Sequence, residues 1–376
     1  MTFKPRKIQF IAYQLDTSLD EDRNPKYLGS QSARVDIESR CKIIADAAYA
    51  AANSGQIDSQ ALKIMALPEA FFRSQKGAYP IEAVSMINAV LDRYLANPYF
   101  RRWLFLLGSA MACMPTDIPG DMEIFNVCLV RKGGIHIAKT YEGGQSMRGG
   151  GMDSLIIYKE YISRLDFYQK DPTKVLLTVD GSQKEYSAVS VEGSMIRDDR
   201  PINVAGTAVV DPRTERPYTL SERSRSGLGG GGLFEMFGLQ CGLEICIDHF
   251  KRRIQAERPR NLDLHFLLSC GENKHYIASR PGGYFFRVDG QMADPYGMVS
   301  LFKKTGTESE EAITTPLWID MDDPSKWRFF HGSAKNFFPD ERGSVGVFEP
   351  LPVPTKAPPK VVPRPAPKPK PKPRTR

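Results

Sequence analysis

"GLEICIDHF", residues 242–250, is the stretch on which the reading of this chain turns. Glu244, Cys246 and Asp248 alternate with Leu243, Ile245 and Ile247. In an extended strand alternate residues face opposite ways, so the cysteine is expected to share a face with two carboxylates. The following "DHFKRRIQ" reads as a helix start with cations just beyond it. Helix dipoles and nearby cations lower a thiol pKa and populate the thiolate. Most cysteines are simply buried. Cys128 and Cys241, set in apolar runs, fit that description, whereas the polar neighbours of Cys246 point to chemistry.

A nucleophilic thiol needs a base and a group that stabilises the developing charge. "ALPEAFF" (66–72) offers Glu69 as the base. It follows an apolar strand and is flanked by Phe71 and Phe72, where desolvation would raise a carboxylate pKa toward neutrality.

The bulk numbers bound the answer. The chain has 376 residues, 41% of them hydrophobic and 25% charged, enough for one large core or two smaller ones. The net charge of +7 is misleading, because the segment from Pro350 onward holds eight cations and no acid, leaving −1 on residues 1–349. A near-neutral body gives no support for nucleic-acid binding. The six cysteines form no CxxC pair and no zinc-finger spacing with the five histidines. "MTFKPRKIQF" lacks the apolar core of a secretory signal, and no stretch is long enough to span a bilayer. The expectation is a cytoplasmic protein with free thiols, and a signal-peptide-independent delivery route would leave the same pattern.

Along the chain, strands are expected at 7–16, 61–67, 102–112, 154–163, 202–211 and 262–270, with one or two more at 233–248. Helices are expected at 31–53, at 80–96 behind Pro80, and at 249–258. "FNVCLVRKGGIHIAK" (125–139) reads as a hairpin turning on Gly133-Gly134, and "GGYFFRVDG" with "MVSLFKK" as a later β pair. The glycine runs at 148–152 and 226–232 lack the Lys-Ser/Thr ending of a phosphate loop. The last 27 residues contain eleven prolines, the composition of a disordered or polyproline II tail. Such a tail is a spacer, a docking peptide for a proline-recognition domain, or a tether to an acidic surface.

Three segments together resemble the nitrilase, or carbon–nitrogen hydrolase, superfamily. "LPEAFF" is similar to its glutamate segment, "YKEYIS" to its lysine segment and "GLEICIDHF" to its cysteine segment, in the family's order. "IAYQ", "LLGSA" and "DLHFLLSCG" add to the resemblance. It implies an α/β fold, a nitrilase-like α-β-β-α four-layer sandwich, over residues 1–349, with insertions at about 140–153 and 165–232; the disordered proline-rich basic tail at 350–376, read from composition, follows it. It implies a Glu-Lys-Cys triad of Glu69, Lys159 and Cys246, with Lys139 as the alternative lysine. The backbone N–H of Ile247 would help hold the oxyanion, and Glu222 or Glu235 would serve as a second glutamate. The implied activity is hydrolysis of a non-peptide carbon–nitrogen bond, an amide in preference to a nitrile, through a thioester-type intermediate. No metal or organic cofactor is implied; a homodimer is. The alternative is a catalytically inactive scaffold that recruits partners through its tail.

Overall fold

The computed structural model describes residues 3–18, 28–75, 78–115, 121–137, 153–159, 174–179, 182–188, 210–211, 216–217, 232–256, 259, 261–291, 298–313, 315–338 and 342–355. The elements run β1 (Lys7–Gln14), α1 (Ala33–Ala52), β2 (Leu62–Ala66), β3 (Tyr79–Pro80), α2 (Ile81–Leu95), β4 (Trp103–Pro115), β5 (Asp121–Lys132) and β6 (Ser154–Tyr158). Then come β7 (Lys174–Val179), β8 (Ser182–Ala188), β9 (Val210–Asp211), β10 (Arg216–Pro217), β11 (Leu233–Met236) and β12 (Leu239–Ile245). Two single helical turns follow, α3 (Ile247–Phe250) and α4 (Arg253–Ala256). The chain continues through β13 (Leu264–Ser269), β14 (Tyr284–Asp289), β15 (Val299–Lys304), β16 (Glu310–Ala312), β17 (Leu317–Asp320), β18 (Ser344–Val347) and β19 (Leu351–Pro352).

The fold is mixed α/β, with two main sheets. The first has the order β17-β18-β1-β2-β4-β5-β8-β7, with β19 beside β1, β3 beside β4 and β6 beside β5. The second has the order β11-β12-β13-β14-β15-β16. Each is parallel at its centre, β1-β2-β4 in one and β12-β13-β14 in the other, with antiparallel pairs flanking that centre; in the first sheet β5–β8 and β3–β4 are parallel as well. The central strands are buried on both faces and so read as continuous apolar runs, as "LKIMA" and "LHFLLS" do.

Period-two alternation divides the core. Ile8, Phe10, Ile64, Leu104 and Leu106 of the first sheet meet Leu243, Ile245, Phe266, Leu268 and Phe286 of the second. The other face of the first sheet, through Ile11, Tyr13, Met65 and Phe105, packs on α1 and α2. α1 begins at Ser32, whose side chain accepts the Val35 N–H, and buries Ile37, Ile43 and Ile44.

Several expectations need correction. Among the described residues, 125–137 form no hairpin: β5 pairs with β4, β6 and β8. Gly133 and Gly134 are needed for close approach instead, since a Cβ on either would lie 2.7 Å or less from Phe100 or Arg101. The helix expected at 249–258 breaks into α3 and α4 at Arg252, which has φ 54°. Of the expected tail, residues 350–355 belong to the body. β19 pairs with β1, Tyr284 donates to the Pro352 carbonyl at 2.8 Å, and Arg280 donates to the Pro354 and Thr355 carbonyls. Proline is tolerated there because β19 is a two-residue edge strand. Residues 356–376 lie outside the described residues. Within the expected 165–232 insertion, β7 and β8 extend the first sheet and β9-β10 form a separate pair; the rest, and nearly all of 140–153, also lies outside them.

Candidate active site

Glu69 leaves the C-terminal end of β2, and Cys246 leaves the C-terminal end of β12, the end of a parallel strand where α/β crevices form. One strand joins these two segments. Cys246 donates its N–H to Leu268 O at 2.9 Å, and Glu69 donates its N–H to Ser269 O at 3.3 Å. The last two residues of β13 therefore hold both backbones side by side.

Lys159 follows β6 directly. Its Nζ donates to Glu69 Oε1 at 2.7 Å, and both side chains are almost fully buried, at 0% and 3% exposure. Asn126 of β5 donates from Nδ2 to the same oxygen at 2.9 Å, and its carbonyl accepts the Lys159 N–H at 2.8 Å. Taking two charges out of water costs several kcal/mol per ion, and a buried pair seldom adds net stability over an apolar replacement.

The Glu69 segment is tied from several sides. Thr17 donates its hydroxyl to Glu69 O at 2.7 Å, and Ser109 Oγ accepts the Ala70 N–H at 2.9 Å. Ala70 has φ 61°, costly for a residue with a Cβ. Arg40 of α1 steadies the chain just beyond by donating to the Phe71 and Arg73 carbonyls, each at 2.6 Å, while Asp36 holds its Nε at 2.5 Å. Gly108 allows the approach of this segment: it has φ 64°, lies in a bulge of β4, and a Cβ there would meet the Pro68 carbonyl.

Cys246 also has left-handed backbone, φ 48°, and sits between β12 and α3. The expected elbow is present, but the expected shared face is not. β12 ends at Ile245, and the turn carries Cys246 to the apolar core between the sheets. Glu244 lies on the opposite face and Asp248 lies in α3. Arg253 NH1 donates to Asp248 Oδ2 at 3.1 Å and to Tyr158 O at 2.9 Å, which links the elbow to the residue preceding Lys159. Ile247 opens α3, where the first N–H groups have no acceptor within the turn.

Glu244 is buried and accepts four hydrogen bonds. Oε2 lies 2.6 Å from His249 Nδ1 and 3.0 Å from His265 Nε2; Oε1 accepts Ile254 N–H at 2.9 Å and Tyr276 O–H at 2.5 Å. Burial opposes ionisation of Glu244, but the two imidazole donors outweigh it and hold the carboxyl below its ordinary range. Burial also lowers His249 to about 4, so the ring is neutral near pH 7. Glu244, His249 and His265 are the one group of three among the described residues whose ligand-type atoms lie within 4.8 Å of one another.

All six cysteines are buried and outside any disulfide. Desolvation pushes Cys41, Cys128, Cys241 and Cys270 well up and Cys113 to about 12, which makes these five poor nucleophiles.

Glu235 does not belong to the site. It lies on β11 and accepts from Gln240 Nε2 at 2.6 Å, with about 17 Å of β12 between it and the elbow. Lys139 and Glu222 lie outside the described residues. Sequence reasoning missed Asn126 and Arg253. The signal for Asn126 was a lone amide inside the apolar run "FNVCLV", since a buried amide must find partners.

No protein-family model matches the sequence, and no curated protein is similar to it. Similar solved structures are nitrilase-superfamily amidases and NAD synthetases. A mutant of the nitrilase-superfamily amidase from Nesterenkonia sp. AN1 has a TM-score of 0.37 at 13% identity, over 83% of this chain and 88% of that one. A double mutant of the same amidase in complex with acrylamide gives 0.36 at 12%, over 76% of each chain. A glutamine-dependent NAD(+) synthetase from Cytophaga hutchinsonii gives 0.33 at 11%, and this chain, matched over 82% of its length, covers 41% of that one. Likeness at this level carries no weight for the chemistry. No helix among the described residues is long and apolar enough to cross a membrane.

Proposed function

We propose that the chain is a thiol hydrolase of a non-peptide carbon–nitrogen bond, an amide in preference to a nitrile, with Cys246 as nucleophile, Glu69 as base and Lys159 as electrostatic stabiliser. The observation that carries this reading is the buried Lys159–Glu69 pair, whose glutamate shares the end of β13 with the strained elbow at Cys246. The preference for an amide rests on the resemblance alone.

The steps are set by the groups present. Glu69 takes the thiol proton as the sulfur attacks the carbonyl carbon, and the C=O π pair moves onto oxygen. The Lys159 ammonium and the Ile247 N–H stabilise that oxyanion. As it collapses, the C–N bond breaks, and the leaving nitrogen takes the proton from Glu69, giving ammonia or an amine and a thioester. Glu69 then deprotonates water, which attacks the thioester carbon. Collapse releases the carboxylic acid and returns the proton to sulfur. The Lys159 ammonium and the Asn126 amide, both on Oε1, hold the Glu69 carboxylate in place for that proton transfer. In the same proposal the sheets and helices form an α-β-β-α sandwich, and the protein is a cytoplasmic homodimer.

The test is intact-protein mass spectrometry after exposure to a library of small amides and nitriles. An acyl mass shift that maps to Cys246, and is lost in Cys246→Ala with an unchanged unfolding midpoint, supports the proposal. An adduct on Cys241 overturns the site; no adduct from any compound favours a catalytically silent scaffold.

A further inference from the structure

We propose that Glu244 is a positioning residue for Cys246: its carboxylate staples the elbow shut from behind. This rests on the hydrolase reading above and deepens it at the same site. Glu244 stands two residues before Cys246 and His249 three after, and the 2.6 Å hydrogen bond between them closes a ring across the cysteine. The His249 N–H to Cys246 O bond, at 2.9 Å, lies inside that ring. A non-glycine residue with positive φ persists only where its surroundings over-determine it. Here they do, because the four donors on Glu244 come from α3, α4, β13 and the loop after β13.

The outer atoms of the network fix the protons. His249 Nε2 accepts the His275 N–H at 3.0 Å, so its hydrogen is on Nδ1, facing Glu244. His265 Nδ1 accepts the Ala278 N–H at 3.1 Å, so its hydrogen is on Nε2, facing the same oxygen. Tyr276 accepts the Gln255 N–H at 3.4 Å, and its ring stacks on His249 with centroids 4.5 Å apart. Every donor is therefore pinned on its far side, and the carboxylate has no second arrangement to relax into. The residue types would suit a metal ion, but the ring atoms that would ligate it carry hydrogens already spent on Glu244.

The nearby charged or titratable groups are His249, His265, His275 with its partner Glu272, Tyr276, and Asp248 with its partner Arg253. Burial keeps the His249 ring neutral near pH 7, and Glu244 stays ionised there. Its effect on Cys246 is mechanical: it sets the direction of the Cα–Cβ bond relative to Lys159 and the Ile247 N–H.

The experiment compares wild type, Tyr276→Phe and Glu244→Gln in iodoacetamide alkylation of Cys246, followed by peptide mass spectrometry from pH 6 to 9, with unfolding midpoints alongside. Tyr276→Phe keeps the stacked ring and removes one donor. It is expected to stay folded and to slow Cys246 by about tenfold, the worth of one hydrogen bond to a charged group. The midpoint of its rate–pH profile should move upward. Glu244→Gln, if folded, should do so more strongly, and Tyr276→Phe decides if it is not. A fast wild-type thiol whose rate and profile are unchanged in Tyr276→Phe overturns the staple alone. One zinc per chain in the purified protein also overturns it. A wild-type Cys246 no faster than Cys41 removes the hydrolase reading, and the staple with it.

Discussion

The surroundings of Glu69 and Glu244 differ in a way that assigns their work. Both carboxylates are buried, and both lie within two residues of a non-glycine residue with positive φ. Glu244 is surrounded by an N–H, an O–H and two imidazole N–H groups, all held from elsewhere in the fold. Glu69 meets a cation and an amide on Oε1, just beyond the C-terminal end of β2. A carboxylate saturated on both oxygens by fixed donors has no proton to exchange. One paired with the Lys159 ammonium and a single amide is placed, in the proposed reaction, to take up a proton.

The largest effects come from neutralising each acid in turn. Glu69→Gln keeps the shape and an acceptor for Lys159 but leaves that buried ammonium without its counter-charge, so the unfolding midpoint should drop, though by less than in Glu244→Gln, while acyl-adduct formation at Cys246 falls at least about a hundredfold. Glu244→Gln should cost about 3–5 kcal/mol in chemical denaturation, because an amide cannot accept four hydrogen bonds and some donors are left buried and unmet. The reverse pattern, with Glu69→Gln unfolding the protein and Glu244→Gln leaving it stable, would exchange the two roles.

A smaller effect is expected in acid. Folding moves His249 from 6.5 to about 4, so between those values the unfolded chain binds a proton that the folded chain refuses. Stability should therefore fall as pH drops from 6.5 toward 4, by at most about 1.4 kcal/mol per unit. Glu244, depressed below its ordinary value, adds stability that is present above pH 4.5 and is lost at lower pH as the folded protein is forced to take up a proton. Urea denaturation of wild type and His249→Gln at pH 7.5, 6, 5 and 4.5 separates the two groups. The variant should start less stable and lose less on acidification to pH 5; parallel curves would mean that His249 is not the titrating group.

The same contrast explains what could be read from the sequence. "ALKIMAL" and "DLHFLLS" declare buried strands because parallel strands are covered on both faces, and the α1 sequence declares a helix by its period. Glu69, Lys159 and Cys246 stood out because each ends such a run. The elbow was legible as a break, yet its side chains were assigned to the wrong face. Alternation holds only while the strand lasts, and one positive φ at Cys246 ends it. The 249–258 helix failed for a similar reason at Arg252. Glu244 was legible only as a polar residue in an apolar run. Its partners come from 5 to 32 residues away, and no local pattern names them.

The smallest expected effect tests whether the two donors on Glu69 Oε1 are equal. Asn126→Ala removes the neutral donor and leaves the cation. If the charge of Lys159 does most to hold Glu69, Cys246 alkylation near pH 7.5 should slow by less than about tenfold, since one neutral-donor bond to an ion is lost and the Lys159 N–H keeps its backbone acceptor at residue 126. Lys159→Met should slow it much further, because it leaves a buried carboxylate held by an amide alone. Equal losses in the two variants would mean that Glu69 is oriented by geometry and not by charge. Its environment would then differ from that of Glu244 only in the number of donors, and the division of labour between the two acids would have to be sought in their distance from the sulfur.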